Sequence, residues 1–332
     1  MTSPLQPYRN HERRLTHPLG GPPLDKGGGI LYAAAMTIVD VDRRRAMAAG
    51  FTAIALWGAL AALSVTAGPI PPFQMVAMTF TVGAAIGIVR ALARGVGWRG
   101  LLGWPPRVWL LGVGGLFGYH ALYFAALQLA PPAEANLVNY LWPLLIVLLS
   151  APLAGERLGW PHLLGTLLGF AGVVLLAFGR GLSFTGAYAL GYALALGCAF
   201  TWSLYSVLSR RFGETPTDAI AAFCAASALL SLGCHLLFER TVWPASTTAW
   251  LAVLALGLGP AGAAFYLWDH AVKRGDIRAL GALSYATPIL STALLIACGL
   301  AEPTGTLLIA AALVTVGATL ASRELWSPTG RR

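Results

Sequence analysis

Ten apolar runs of about twenty residues, separated by short loops, decide what this chain can become. They cover residues 46–67, 72–93, 107–129, 133–154, 160–179, 187–209, 217–238, 248–271, 278–300 and 305–323. A run of roughly 20 apolar residues in a helix spans a hydrocarbon core of about 30 Å. Only helices and closed barrels satisfy their backbone groups inside lipid, and runs of this length read as helices. The chain is 57% hydrophobic and 11% charged, against about 25% charged in an ordinary soluble domain. It has too little charge to coat a soluble surface. The fold class is therefore an all-α polytopic membrane protein. Its ten transmembrane helices fall into two sets of five with similar order and spacing. Five is odd, so the second set enters the membrane from the opposite side and the two sets form inverted five-helix repeats.

The net charge of +9 does not mark a nucleic-acid surface, because the basic residues lie at the ends of apolar runs and not among aromatics. With the N-terminus placed in the cytoplasm, twenty of the 22 Lys and Arg residues fall in inside segments and only Arg180 and Arg240 fall outside. That split follows the positive-inside rule at every loop, and an error in the number of spans would scramble it. Both termini are expected in the cytoplasm.

The domains expected are a disordered N-terminal segment over 1–42, a first repeat over 43–180, a second over 181–325 and a short tail over 326–332. The N-terminal segment is polar and rich in Pro and Gly, which disfavours order. Met36 is a candidate alternative start. Cys198, Cys224, Cys234 and Cys298 all fall within spans, without a paired CxxC or a histidine at ligand spacing, so neither disulfides nor a zinc site are expected. No cofactor or metal is implied.

The halves share local pattern. NLVNYLWPLL (136–145) lies over GALSYATPIL (281–290), so Tyr140 and Pro143 fall on Tyr285 and Pro288; GYHALYFAALQL from Gly118 lies over GAAFYLWDHAVK from Gly262. LAGERL (153–158) lies near GLAEPT (299–304). With LWG at 56–58, the stretch 123–145, GERLGWPHLLGTLLGFAGVVLL (155–176) and AFTWSLYSVLSRR (199–211), the sequence resembles the EamA repeat of the drug/metabolite transporter superfamily over about residues 46–323. The resemblance implies a ten-helix exporter of the inner membrane, working by alternating access. Within that superfamily the aromatic content is similar to that of the aromatic amino-acid exporters.

His120 is the sharpest candidate for a site, since an ionisable side chain in mid-span is rare and functional by default. The other reading is a neutral histidine hydrogen-bonded inside the bundle. Tyr119 and Tyr123 share its face at helical spacing. Asn136, Asn139, Tyr140 and Pro143 form an i, i+3, i+4, i+7 stripe that must look inward, with Trp142 turned away from it. Trp57, Trp202, Tyr205 and Tyr285 complete the substrate-binding candidates, with Tyr266 and Trp268 as further amphipathic aromatics. Aromatic faces with a few polar tips suit a flat neutral or zwitterionic guest through stacking and cation–π contact. Trp109, Trp243 and Trp326 read as interfacial belt residues. Glycines in the fifth span (Gly165, Gly169, Gly172) and small residues in the tenth read as close helix contact. The same reading is favoured for the glycines of the third and eighth spans, with gating flexibility as the alternative.

No Asp or Glu lies at the centre of a span. Asp269 and Lys273 read as an i, i+4 pair at the cytoplasmic end of their helix. The function expected is facilitated efflux of aromatic and hydrophobic amino acids. The alternative is a proton-coupled exporter of lipophilic cations or drugs, for which His120 would carry the proton. An enzyme is not expected, because the remaining histidines lack partners for catalysis. The partners expected are a small-molecule substrate and the lipid bilayer, for a monomeric protein.

Overall fold

A computed structural model describes residues 26–178, 184–299 and 302–323, with side chains described from residue 41. The chain is helical with no strand among the described residues. Among the described residues, nine helices are long and apolar enough to cross a membrane: α1 Val41–Ala67, α2 Pro72–Ala93, α3 Pro106–Leu129, α4 Pro132–Ala154, α5 Trp160–Phe178, α6 Gly186–Phe212, α7 Ala219–Phe238, α8 Thr247–Arg274 and α9 Ile277–Ala297. A shorter apolar helix, α10 Gly305–Ala321, has 17 residues, or about 26 Å of rise. These ten elements match the ten apolar runs in order, with ends that differ by a few residues.

One expectation fails at the N-terminus. Residues 26–42, read as disordered, begin the helix Lys26–Gly58. The last proline before it is Pro23, and Ala33–Ala35 are strong helix formers, although Gly27, Gly28 and Gly29 at its start are poor ones. The rest of the expected disordered segment (1–25), the tail 326–332 with Trp326, and Arg180 lie outside the described residues.

Helix pairing respects a two-fold relation between α1–α5 and α6–α10. The pairings α3 with α6 and α4 with α6 are mirrored by α8 with α1 and α9 with α1. Three pairs join a helix to its own counterpart: α2 with α7, α4 with α9 and α5 with α10. Those three lie across the pseudo-axis, and they need small residues to do so. A Cβ on Gly165 would strike the Gly317 carbonyl oxygen, and one on Gly317 would strike that of Gly165. The small-residue stripes in α5 and α10 are thus a backbone-to-backbone contact.

The same relation governs where helices break. A π-helical segment, Gly114–Gly118, interrupts α3, and another, Gly259–Ala263, interrupts α8 at the corresponding place. α4 is two half-helices, Pro132–Asn139 and Trp142–Ala154, and α9 is Ile277–Leu283 and Ala286–Ala297. Pro143 and Pro288 sit just past these joints. Each lacks the N–H that the carbonyl four residues earlier would accept. Packing and shape both use the glycines of α3 and α8: Gly112 lies against the Phe223 ring and Gly115 against Tyr205, where a Cβ would overlap the ring atoms.

Charged side chains cluster at one end of the bundle. Arg94 pairs with Asp218 at 3.3 Å, and Glu156, Arg210, Asp276 and Arg278 form a connected group. At the other end the Glu239 carboxylate accepts from the Phe73 and Gln74 N–H groups, at 2.9 and 3.0 Å, and so caps the start of α2. Helix N-termini favour an anion in this way. His235 supports Glu239 at 2.9 Å, and the Gln74 amide exchanges two hydrogen bonds with the main chain of Val242. Of the four free cysteines, Cys198 and Cys224 are buried, whereas Cys298 is exposed.

The close approach of α5 and α10 is testable. Gly165→Leu forces the two backbones apart, an overpacking cost of about 1–3 kcal/mol. In a chain of this size that should lower the midpoint of thermal unfolding in detergent by about 3–10 °C. A midpoint indistinguishable from that of wild type would contradict the packing.

Candidate functional site

A box of rings occupies the middle of the bundle. Trp57 of α1 stands at the centre, 5.2 Å from Trp268, 5.6 Å from Trp202, 6.3 Å from Phe265 and 6.4 Å from Trp142, mostly edge to face or tilted. Trp202 also stacks beside Trp268 at 6.3 Å and rests on Tyr205 at 5.2 Å. Offset and edge-on geometry of this kind is what aromatic quadrupoles prefer. Trp268 is held from below by a hydrogen bond from its indole N–H to the Ser206 hydroxyl at 3.0 Å.

His120 joins the box from α3. Its ring meets Phe80 at 5.1 Å, Tyr119 at 5.2 Å, Phe124 at 6.0 Å and Phe265 at 6.5 Å. It faces rings from three helices and not the lipid. His120 Nδ1 lies 2.7 Å from the Leu116 carbonyl oxygen, so in the neutral ring Nδ1 donates and Nε2 keeps its lone pair. Leu116 belongs to the π-helical segment. A π turn shifts the ladder and leaves a carbonyl for other donors. The counterpart in α8 behaves alike, since the Trp57 indole N–H donates to the Pro260 carbonyl at 3.0 Å. Each break in the ladder is filled by a side chain of the box.

The polar rim comes from α3 and α4. Tyr119 and Tyr123 are parallel, with ring centres 6.0 Å apart. Tyr123 donates to Asn136 Oδ1 at 2.8 Å, and the Asn139 side-chain N–H donates to the Tyr119 hydroxyl at 3.0 Å. Tyr119, His120, Tyr123 and Asn136 are half-buried, whereas Trp202, Tyr205 and Trp268 are sealed. The box is accessible along its α3–α4 rim and closed towards the charged end.

The structure thus brings together Trp57, Tyr119, His120, Tyr123, Asn136, Asn139, Trp202 and Tyr205. One candidate stands apart. Tyr285 is fully buried and packs with Phe170, Val173, Val314 and Leu137 near α5 and α10. Tyr140 touches that same cluster, and its phenol also lies within electrostatic reach of Tyr119 and Tyr123, so it sits between the cluster and the rim. A helical stripe carried through residues 136–143 loses its phase at the turn after Asn139. The same joint brings Trp142 into the box, where an unbroken helix would turn it away. Phe80 and Phe265 escape a reading of the sequence altogether, since a phenylalanine in an apolar helix carries no mark of its neighbours. Asp269 and Lys273 form the expected i, i+4 pair, 2.8 Å apart; Asp269 is buried, and the pair is tied in by the Thr217 hydroxyl on Asp269 and the Thr215 carbonyl accepting from Lys273. Segment 213–218 folds over them, which the spacing of two residues on one helix cannot show.

Beneath this pair an ion cluster ties the halves together. Arg210 reaches Glu156 at 2.9 Å and the Gly275 and Val272 carbonyls at 2.8 and 2.9 Å. Arg278 pairs with Asp276 at 2.9 Å and donates to the Arg157 carbonyl at 2.7 Å. The loop after α4 is so clamped to the ends of α6 and α8 and the start of α9. Glu302, at the place in the second half that matches Glu156, is exposed and forms no ion pair among the described residues. Among the described residues Glu302 has no such cluster, and that end is held instead by Glu239 on the start of α2. No group of three or more metal-ligating side chains occurs among the described residues.

Two duplicated five-helix units, broken helices at the midplane and a ring-lined site between them define a membrane transporter of the inverted-repeat class. The sequence matches the EamA-like transporter family over residues 44–178 and again over 189–323, and the chain belongs to that family. It is 55% identical over 284 residues to the aromatic amino acid exporter YddG of Ancylobacter novellus, covering 85% of this chain and 98% of that one. It is 25% identical over 271 residues to the protein of the same name from Escherichia coli, covering 76% and 88%. A crystal structure of a protein 56% identical to this chain superposes with a TM-score of 0.79, covering 83% of this chain and 98% of that one.

The clamp gives a measurable expectation. Glu156 and Arg210 are each about one-fifth exposed, so their pairing contributes on the order of 1 kcal/mol. Glu156→Gln should raise the opening of the charged end by roughly fivefold. In a background carrying Ser206→Cys, beneath Trp268, maleimide labelling should speed up by that factor. Equal rates with and without Glu156 would show that the cluster holds nothing closed.

Proposed function

We propose that this protein exports aromatic and other hydrophobic amino acids from the cytoplasm by alternating access, down their gradient and without obligatory proton exchange. The observation that carries this reading is the ring box with its half-buried rim: five large aromatic side chains from α1, α4, α6 and α8 meet around Trp57, and hydroxyl and amide groups lie along one side only. A flat side chain slides against the rings while the polar end of the molecule meets the tyrosine and asparagine rim. Relatives called aromatic amino acid exporters support the same substrate class.

Trp57, Tyr119, His120, Tyr123, Asn136, Asn139, Trp202 and Tyr205 are the substrate-facing set, joined by Trp142 and Trp268. Tyr140 lies beside the rim tyrosines, and Tyr285 acts at one remove, as packing behind the second helix joint. The charged end is the cytoplasmic one in this proposal, which puts both termini in the cytoplasm and the protein in the inner membrane as a monomer. The segments 43–180 and 181–325 work as the two moving halves. The carboxylate below the box, Asp269, is already matched by Lys273, and the box itself holds none. Charge balance therefore needs no proton to accompany a zwitterion.

The test is counterflow and initial uptake in proteoliposomes, with tryptophan and alanine, with and without a pH gradient. Trp202→Ala removes a wall of the box and about 0.5–1.5 kcal/mol of ring contact. It should lower tryptophan transport up to about tenfold, with alanine changed less than twofold. Uphill accumulation driven by a pH gradient and abolished by His120→Ala would overturn the facilitator reading in favour of proton coupling.

A further inference from the structure

At the joint of α4 a buried side-chain acceptor stands without a donor. The Asn139 side chain is 4% exposed, and its Oδ1 is sealed from solvent with no hydrogen-bond partner. Its Nδ2 is committed to the Tyr119 hydroxyl at 3.0 Å, which turns Oδ1 away from Tyr119. The main-chain carbonyl of the same residue ends a half-helix, and the residue four further on is Pro143, which has no N–H to give it. The end of that half-helix is also the electronegative pole of its dipole.

The neighbouring positions sharpen the contrast. Asn136, one turn earlier, uses its oxygen to accept from Tyr123 at 2.8 Å. In the second half, Ser284 occupies the equivalent joint before Pro288. There the hydroxyl donates to the Leu280 carbonyl at 2.7 Å, and the Ser284 carbonyl accepts from the Thr287 N–H at 3.1 Å. The Ser284 groups are thus paired within their own chain, although the neighbouring Thr287 hydroxyl is buried without a partner, and Asn139 Oδ1 is the amide oxygen left open. A buried acceptor left without a donor costs about 1–3 kcal/mol. In a hydrocarbon surround no solvent stands ready to relieve it.

From this we infer that the Asn139 joint is the receptor for the primary ammonium group of the transported molecule: Oδ1 accepts one N–H, the helix end supplies the negative pole, and the Tyr119 contact fixes the amide. The inference rests on the transport reading above and adds that recognition requires an N–H-bearing cation. The ring box then grips the side chain on one side of Trp202, and Asn139 grips the amine on the other side of Tyr119, which lies 5.5 Å from Trp202. Oδ1 is sealed in this conformation, so the amine reaches it as the turn at Tyr140–Leu141 flexes. Quaternary ammonium ions lack an N–H and are poor ligands, although they satisfy a ring box well.

The experiment is ligand stabilisation of the purified full-length protein in detergent, read as the shift in thermal midpoint against concentration. The ligands are tryptophan, tryptamine, indole-3-propionate and N-acetyltryptophan. Wild type should bind tryptophan and tryptamine, and bind the two amine-blocked or amine-free compounds at least tenfold more weakly. Asn139→Leu should weaken tryptophan and tryptamine by about 10- to 100-fold, as expected for a hydrogen bond to a charged group. It should leave indole-3-propionate unchanged. Asn139→Asp keeps an acceptor towards the ligand and lets Tyr119 donate in return, so it should bind tryptamine as well as wild type or better. It also guards against a variant that fails only because it misfolds.

Equal binding of tryptophan and indole-3-propionate to wild type would overturn the inference while leaving the export reading intact. So would a loss in Asn139→Asp as large as in Asn139→Leu, which would mean that the amide faces the ligand as a donor. Tryptamine binding without tryptophan binding would sink the amino-acid reading and leave the amine receptor standing. Binding of none of the four would overturn both.

Discussion

Inside a hydrocarbon layer a backbone hydrogen bond cannot be dropped, because no water replaces it. The whole molecule is organised by that rule and by the few places that break it. Most of the chain obeys by being helical. The breaks include two π-helical segments and two half-helix joints, which come in matched pairs, and a turn at Ala59 that interrupts α1. Each break is either repaired by a side chain or left for something else to repair. His120 serves Leu116, and Trp57 serves Pro260. The residues most suggestive of a binding site are thus also the ones that make irregular backbone tolerable at this depth. Replacing either affects the fold as well as the site, and a transport defect in such a variant has to be separated from a local collapse of the helix.

The ladder of spans was legible in the sequence because lipid writes composition directly: about twenty apolar residues, then charge, ten times over. The inward stripe of α3 was legible as well, since Tyr119, His120 and Tyr123 lie on an unbroken helix after Gly118. Legibility ended where helical phase ended. The turn at Tyr140–Leu141 rotates the second half-helix of α4 against the first, so Trp142 enters the box and Tyr140 leans towards the cluster of Tyr285. Periodicity assumes one continuous helix, and Pro143 alone does not say how far the joint turns. Phe80 and Phe265 were invisible for a different reason. Their role is set by neighbours from other helices, and nothing in a phenylalanine distinguishes a ring facing His120 from one facing lipid. Asp269 and Lys273 show the same limit for charge, because the two threonines that bury them come from a loop more than fifty residues earlier.

The aromatic box and the ion cluster are coupled by a short column. Trp268 rests on Ser206, Asp269 and Lys273 are fixed to segment 213–218, and Arg210 reaches from the end of α6 to carbonyls at the end of α8. Opening the charged end moves α6 and α8 together, and with them Trp202 and Trp268. Such coupling needs contacts that exist in one state and not in the other. The clamp at the charged end supplies them: Glu156 is bridged, and Glu302 at the opposite end is not.

That asymmetry bears on what a duplicated carrier can do. Two identical halves related by a two-fold would make the two facing states equal in energy. An ion cluster at one end and a carboxylate cap on α2 at the other lift that equality by the difference between them, each contact being worth on the order of 1 kcal/mol. A bias of this size does not set the direction of net flow in a carrier without a coupled ion. A ligand with equal affinity for both states shifts nothing, and direction follows the gradient alone. The bias instead sets the relative rates of the two half-cycles: in the proposed transport cycle, reopening the charged end requires breaking the Glu156–Arg210 bridge, and reopening the other end requires releasing Glu239 from the start of α2.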